Sequence, residues 1–328
     1  MEKKTIDIHV HGIGGYDTRS AKEDHILKIA EIFGSKRISE IILTIYPSSI
    51  KVMRENMMTV RKAMEKQKTI SNPSLPPFNS PLSKGGYRGV KGGRVGEGVR
   101  TPNPALILGL HLEGPFLNTS RCGALSAKSF IEPTEYNLKG LLEGFEDIVK
   151  IITIAPELKG SLRLIKKISD MGIIASMGHS NATFLEAEAG FKAGARGVTH
   201  IFNAMRGFHH REIGIAGFGL MNKDIYIEII ADPFHLHPKT LELIFKIKNH
   251  KRIIIVSDSV KETNSFPSPP FKRGEKRRVY AVTDTPGKLL GGSMTIIESS
   301  KRLIKMGFDE DIIMRCITAN PKRYLSVQ

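Results

Sequence analysis

Eight short runs rich in isoleucine, valine and leucine recur along this chain of 328 residues, and helix-like segments separate most of them. The runs cover residues 6–10, 38–45, 106–112, 148–155, 173–177, 197–202, 225–231 and 253–257. Between them, 22–33, 161–171, 183–193 and 238–248 have the character of helices. Strands alternating with helices eight times predict an α/β fold, and favour a parallel (β/α)8 TIM-type barrel over an open doubly wound sheet. After the eighth run, 294–306 and 309–317 read as closing helices, and Ala319-Asn320-Pro321 starts a last turn.

An apolar content of 40% is ample for one such core. Cys122 and Cys316 show no paired spacing, which suits a reducing compartment. The start, MEKKTIDIHVHG, lacks the apolar stretch and cleavage site of a signal peptide, and no segment nears the roughly 18 apolar residues of a membrane span. A soluble, cytoplasmic protein is expected, without a membrane partner.

The net charge of +16 raises the question of nucleic acid. Half of it sits in two segments, 72–104 and 264–278, each net +4 and rich in Pro, Gly and Ser or in Lys and Arg. Without apolar periodicity they read as disordered loop insertions in a single-domain barrel, with active-site lids as the alternative. No motif that reads nucleic acid accompanies the charge, so an anionic small molecule is the expected partner.

The run ends carry the chemistry. His9 and His11 close the first, and two apart in a strand they point the same way. The pair fits one metal ion or a hydrogen-bonded structural couple, and Gly12, Gly14 and Gly15 behind it let backbone approach a ligand. Glu113 follows GLHL, where a carboxylate must be paired, hydrated or metal-bound. His111 lies on its face as a supporting or structural group. His179 and His200 end the fifth and sixth runs, with Ser180 or Asn181 placed to cap the next helix. One carboxylate and two imidazoles suit zinc or iron and leave a position for water. Asp258, after the eighth run, can take a proton from activated water and hand it to a leaving group, or else cap a helix.

DIHVHGIGGYDT, GLHLEGPF, APE, MGHSNAT, THIFNAM, HREIGIAG, IIADPFHLHP and SDS follow in this order. The series resembles the amidohydrolase superfamily, and within it the deacetylases of N-acetylglucosamine 6-phosphate, over almost all the chain apart from the two basic segments. The resemblance implies that Glu113, His179 and His200 hold the principal divalent ion, zinc or alternatively iron. It makes Asp258 the catalytic acid/base, and puts His9 and His11 where some members bind a second ion. It implies that Asn203 and Ala204 help seat a phosphate, that His235 contacts the sugar, and that Arg211 reaches the phosphate across a homodimer interface. Arginine suits bidentate phosphate recognition. The implied reaction is metal-dependent hydrolysis of the acetamide of N-acetylglucosamine 6-phosphate to glucosamine 6-phosphate and acetate, in amino-sugar catabolism or cell-wall recycling.

Three departures mark this chain. Leu125 stands where many members carry a histidine that polarises the substrate carbonyl, and Pro233 replaces a glycine before the sugar-contacting histidine. The family's small β-sandwich, built from residues outside the barrel, is expected to be largely missing. These leave two other readings, an amidohydrolase acting on a different amide or cyclic amide, and a catalytically weak metal-binding protein.

Overall fold

The computed structural model describes residues 4–71, 103–264, 281–284 and 287–327. The two expected insertions lie almost wholly outside the described residues. The eight runs become eight parallel strands in chain order: β1 Ile6–Val10, β2 Glu40–Ile45, β3 Leu106–Glu113, β4 Val149–Ile154, β5 Ile174–Met177, β6 Gly197–Val198, β7 Tyr226–Ile230 and β8 Ile253–Val256. Main-chain bonds from Asp258 N–H to the His9 carbonyl (3.0 Å) and from His11 N–H to the Ser259 carbonyl (2.8 Å) bring the last strand back to the first. The Asp7 carboxylate accepts from Ser257 N–H at 3.2 Å across the same seam. This is a (β/α)8 barrel.

Helices α1 Glu23–Ser35, α2 Ile50–Ser71, α3 Glu135–Leu142, α4 Ser161–Asp170, α5 Phe184–Lys192, α6 Gly214–Met221, α7 Pro238–Ile247 and α8 Ile296–Lys305 lie between or after the strands. Then α9 Glu310–Ile317 and α10 Ala319–Tyr324 close the chain. Local chemistry sets several starts. Thr183 with Glu186, and Thr295 with Glu298, form reciprocal capping boxes at α5 and α8, and Pro238 begins α7 where its missing N–H costs nothing. The cap of α5 is therefore Thr183, not Ser180 or Asn181. Ser180 instead donates to Glu157 at 2.7 Å, and the Asn181 amide N–H to the same carboxylate at 2.6 Å, which fastens the loop after β5.

Alternation divides the core in two. Ile41, Leu43, Ile152, Ala175, Ile227, Ile229 and Ile255 face the helices, whereas Ile42, Ile151, Ile174, Tyr226 and Ile254 fill the barrel floor with Tyr324 from α10. Above that floor the interior turns polar: Thr153 Oγ1 lies 2.7 Å from His111 Nε2 and 2.9 Å from Thr199 Oγ1, which is 2.7 Å from Ser176 Oγ. Outside the barrel the described residues hold two short hairpins, Gly12–Ile13 with Tyr16–Asp17 and Val282–Thr283 with Leu289–Gly291.

The sixth run stops early. It pairs over Gly197–Val198 and turns at once, with His200, Phe202 and Ala204 at φ of 30°, 74° and 48°. Gly197 gives room on the other side, since a Cβ there would lie 2.1 Å from the Tyr324 hydroxyl and 2.8 Å from Ser176 Oγ. Gly197→Ala is expected to destabilise the fold by about 1–3 kcal/mol through overpacking. A urea unfolding curve checks this; an unchanged midpoint contradicts the floor packing.

Candidate metal centre and its cavity

The strand ends that the sequence marks as polar converge on one carboxylate. Glu113, at the end of β3, has Oε1 3.0 Å from His179 Nε2, 3.0 Å from His200 Nε2 and 3.5 Å from His9 Nε2, with Oε2 3.1 Å from His11 Nε2. Asp258, just beyond β8, brings Oδ1 to 3.4 Å from His9 Nε2 and 3.5 Å from His11 Nε2. All six side chains are buried or nearly so, but Asp258 at 15% exposure is more open than Glu113 at 4%.

Three of these residues sit at left-handed backbone positions, His179 at φ 47°, His200 at 30° and Asp258 at 47°. Each such non-glycine position costs on the order of 1–3 kcal/mol and persists only where its surroundings over-determine it. The surroundings are visible. The Arg121 carbonyl lies 2.9 Å from His179 Nδ1, and the Asp258 N–H is held by the first strand.

The donor set fits a divalent cation. The Arg121 carbonyl can only accept, so His179 donates from Nδ1 and presents a lone pair at Nε2. His9 is gripped at Nδ1 by Glu228 at 3.2 Å, while its buried Nε2, close to two carboxylates, makes no hydrogen bond. A buried nitrogen without a partner is costly, and a cation between these groups would satisfy it. Glu113, His179 and His200 place ligand atoms within 4.8 Å of one another, as do His9, His11 and Asp258.

Electrostatics agree. Burial opposes charge on Glu113, but the four imidazoles around it, His11, His179, His200 and His9, outweigh it and hold the carboxyl well below the usual range. Burial likewise disfavours a proton on His9, yet Asp258, Glu113 and Glu228 together raise its affinity for one. The same negative field favours a metal cation. His111 lies below, its ring edge-on to His9 at 4.6 Å, and burial and then the charge of His9 keep it neutral. It packs against His9 and is absent from the cavity wall.

Above the cluster opens a cavity of about 230 Å³, lined by His11, Glu113, His179, His200 and Asp258 together with Asn203, Ala204 and His235. His235 is fixed from behind. Asp232 receives its Nδ1 at 3.0 Å and also the N–H and hydroxyl of Ser293 at 2.9 Å each. Burial opposes this charge, but His235 and Ser293 bring the Asp232 carboxyl down to about 2. Asn203 spends its side-chain amide on the carbonyls of His200 and Ile201. Arg211 is outside the cavity, exposed, with Nε 3.0 Å from His210. Leu125 lines the wall with Gly123 and Ala124.

Four contributors escape the sequence reading. Glu228 and Asp232 had a signal, a lone acid among isoleucines in IYIEIIAD and one at its end. Tyr46 and Lys288, which also line the cavity, had none.

The amidohydrolase family profile matches residues 97–328. An N-acetylglucosamine-6-phosphate deacetylase of Vibrio furnissii is 26% identical over 301 residues, 91% of this chain and 66% of that protein. Its Bacillus subtilis (strain 168) namesake is 40% identical over 158 residues, 48% of this chain and 40% of that protein. The chain thus spans less than two thirds of either relative. An N-acetylgalactosamine-6-phosphate deacetylase of Escherichia coli O157:H7 is 26% identical over 98% of this chain and 77% of its own length. Among solved structures, a mutant N-acetyl-D-glucosamine-6-phosphate deacetylase of Mycobacterium smegmatis in complex with N-acetyl-D-glucosamine-6-phosphate superposes with a TM-score of 0.79 at 22% identity, over 99% of this chain and 77% of that one. The Thermotoga maritima enzyme of the same name gives 0.75 at 25% identity, over 99% and 78%.

Glu113→Ala is expected to lower affinity for zinc by more than roughly tenfold, because it removes the carboxylate that four imidazoles share. Metal analysis after equilibrium dialysis checks it, and full retention of metal contradicts the assignment.

Proposed function

Because the chain belongs to the amidohydrolase family, we propose that it is a metal-dependent deacetylase, with N-acetylglucosamine 6-phosphate as substrate and glucosamine 6-phosphate and acetate as products. The observation that carries this reading is the meeting of Glu113, His179 and His200 with Asp258 beneath one cavity. A divalent ion held by Glu113, His179 and His200, zinc by the nitrogen and oxygen donor set with iron as the alternative, supplies Lewis acidity to an amide carbonyl and lowers the pKa of water to about 7. His9 and His11 offer nitrogens for a second ion.

Asp258 does the proton work. It is the carboxylate of the cluster most open to the cavity, so its oxygen can accept a proton from the attacking water and return it to the nitrogen as the C–N bond breaks. Glu113 cannot share this task, enclosed as it is by imidazoles. His235, braced by Asp232, presents its free ring edge to the sugar. With the Asn203 amide committed to carbonyls, the phosphate is seated by main-chain N–H groups of the turn around Ala204, whose left-handed backbone suits an anion nest. Arg211 reaches the phosphate from a second copy in a homodimer, where Phe208, 56% exposed beside it, gives an apolar contact. Two free cysteines suit the reducing cytoplasm as the site of action.

Leu125 on the cavity wall favours one second reading, hydrolysis of a different amide. Acetate release from N-acetylglucosamine 6-phosphate by the zinc-loaded chain decides between them. Turnover supports the proposal, and a metal-loaded chain without turnover favours the other amide.

Asp258→Asn should cut turnover by about 10²- to 10⁴-fold with zinc at Glu113, His179 and His200 retained, the effect of losing a general acid/base. Steady-state rates beside metal content measure it, and undiminished turnover contradicts the role. Arg211→Ala should raise KM for the phosphorylated substrate by roughly tenfold or more and leave the unphosphorylated sugar unaffected, as expected of a lost charge-assisted contact. Equal effects on both contradict the phosphate contact.

A further inference from the structure

Tyr46 follows β2 directly and lines the cavity beside the metal-type cluster, yet nothing described so far uses it. Its ring is held by its faces. The His11 imidazole stacks on it with centroids 3.9 Å apart and planes 25° from parallel, and the Arg19 guanidinium lies 4.3 Å from its centroid. Arg19 is itself fixed by a two-pronged pair with Asp17, Nε to Oδ1 at 2.9 Å and Nη2 to Oδ2 at 2.7 Å. The phenol is thus anchored as a rigid plane. Its hydroxyl has no hydrogen-bond partner among the described residues and is not sealed from solvent.

The rest of the wall shows why this matters. An amide carbonyl attacked by water develops negative charge on its oxygen, and a preorganised donor facing that oxygen is worth about 10²- to 10³-fold in rate. The stretch Gly123, Ala124 and Leu125 offers no side-chain donor. The Asn203 amide hydrogens are spent on two carbonyls and His235 Nδ1 on Asp232. Lys288 is exposed. Among the described residues of the wall, Tyr46 alone combines an uncommitted neutral donor with a fixed ring and direct contact with a member of the cluster.

We propose that Tyr46 is a catalytic residue whose hydroxyl donates a hydrogen bond to the amide oxygen of the substrate as that oxygen becomes an oxyanion. The proposal rests on the amide-hydrolase reading of the same cavity. No proton leaves the phenol. The hydrogen bond strengthens as the tetrahedral carbon forms and weakens as the C–N bond breaks and the carbonyl is restored.

The test is Tyr46→Phe in the full, zinc-loaded chain, which keeps the ring and its stacking and deletes an oxygen that no described group binds. The expected result is a fall in kcat of about 10²- to 10³-fold, with KM changed by less than about threefold. Zinc content and thermal midpoint stay at the wild-type values. A phosphonamidate analogue of the tetrahedral species, built on glucosamine 6-phosphate, loses affinity in parallel with kcat/KM, while glucosamine 6-phosphate binds as before. A structural role would instead weaken both ligands together or lower the midpoint, and that outcome overturns the assignment. So does a variant whose kcat stays within about threefold of an active wild type. A zinc-loaded wild type that releases no acetate overturns the underlying deacetylase reading instead, so the two failures are told apart.

Discussion

A single buried carboxylate organises the working end of this barrel. Glu113 gathers four imidazole nitrogens from three strand ends around its two oxygens, three of them within 3.1 Å and the fourth at 3.5 Å. A carboxylate removed from water is expensive unless it is compensated, and here the groups gathered around it come from side chains far apart in the sequence. The cost therefore falls on any arrangement in which β1, β3 and the loops after β5 and β6 fail to converge. A site that disfavours every other register of its own scaffold also preorganises the cation it is shaped for.

The barrel supports that carboxylate in tiers. Tyr324 and the isoleucines make an apolar floor, the His111, Thr153, Thr199 and Ser176 chain makes a polar middle, and the cluster forms the top. The middle tier gives His9 a carboxylate on one side and a ring edge on the other, through Glu228 and His111. Such a network is useful only when nearly every member is satisfied, because a half-paired buried group costs more than an apolar one. Above it, left-handed turns at His179, His200 and Asp258 stop the strands abruptly and swing their side chains inward. Tyr46 enters the same tier by stacking, so the cavity is bounded by groups fixed by polar contacts below and by ring faces beside.

Much of this was legible in the sequence because the signals involved are local. Short apolar runs separated by helix-like segments gave all eight strands, with ends shifted by a few residues, while strand spacing marked His9 and His11, the cost of burying charge marked Glu113, and a place at the end of the eighth run marked Asp258. The sixth strand was drawn too long, since nothing in GVTHIF shows that the backbone turns left-handed at His200. Placement of the α5 cap at Ser180 or Asn181 failed for a related reason: both were claimed by Glu157, a partner over twenty residues away that competes with the helix end. Tyr46 was invisible because a tyrosine after a strand carries no sign of what it will stack upon. Arg211 is exposed and outside the cavity on its own chain, so the phosphate contact proposed for it requires a second copy.

The central claim is that one cation sits among Glu113, His179 and His200, and anomalous diffraction at the zinc absorption edge from crystals of the zinc-loaded chain tests it most directly. The account predicts a strong anomalous peak within bonding distance, about 2.0–2.2 Å, of a Glu113 oxygen and the Nε2 atoms of His179 and His200. A zinc peak elsewhere, or none between these three residues at full zinc loading, contradicts it.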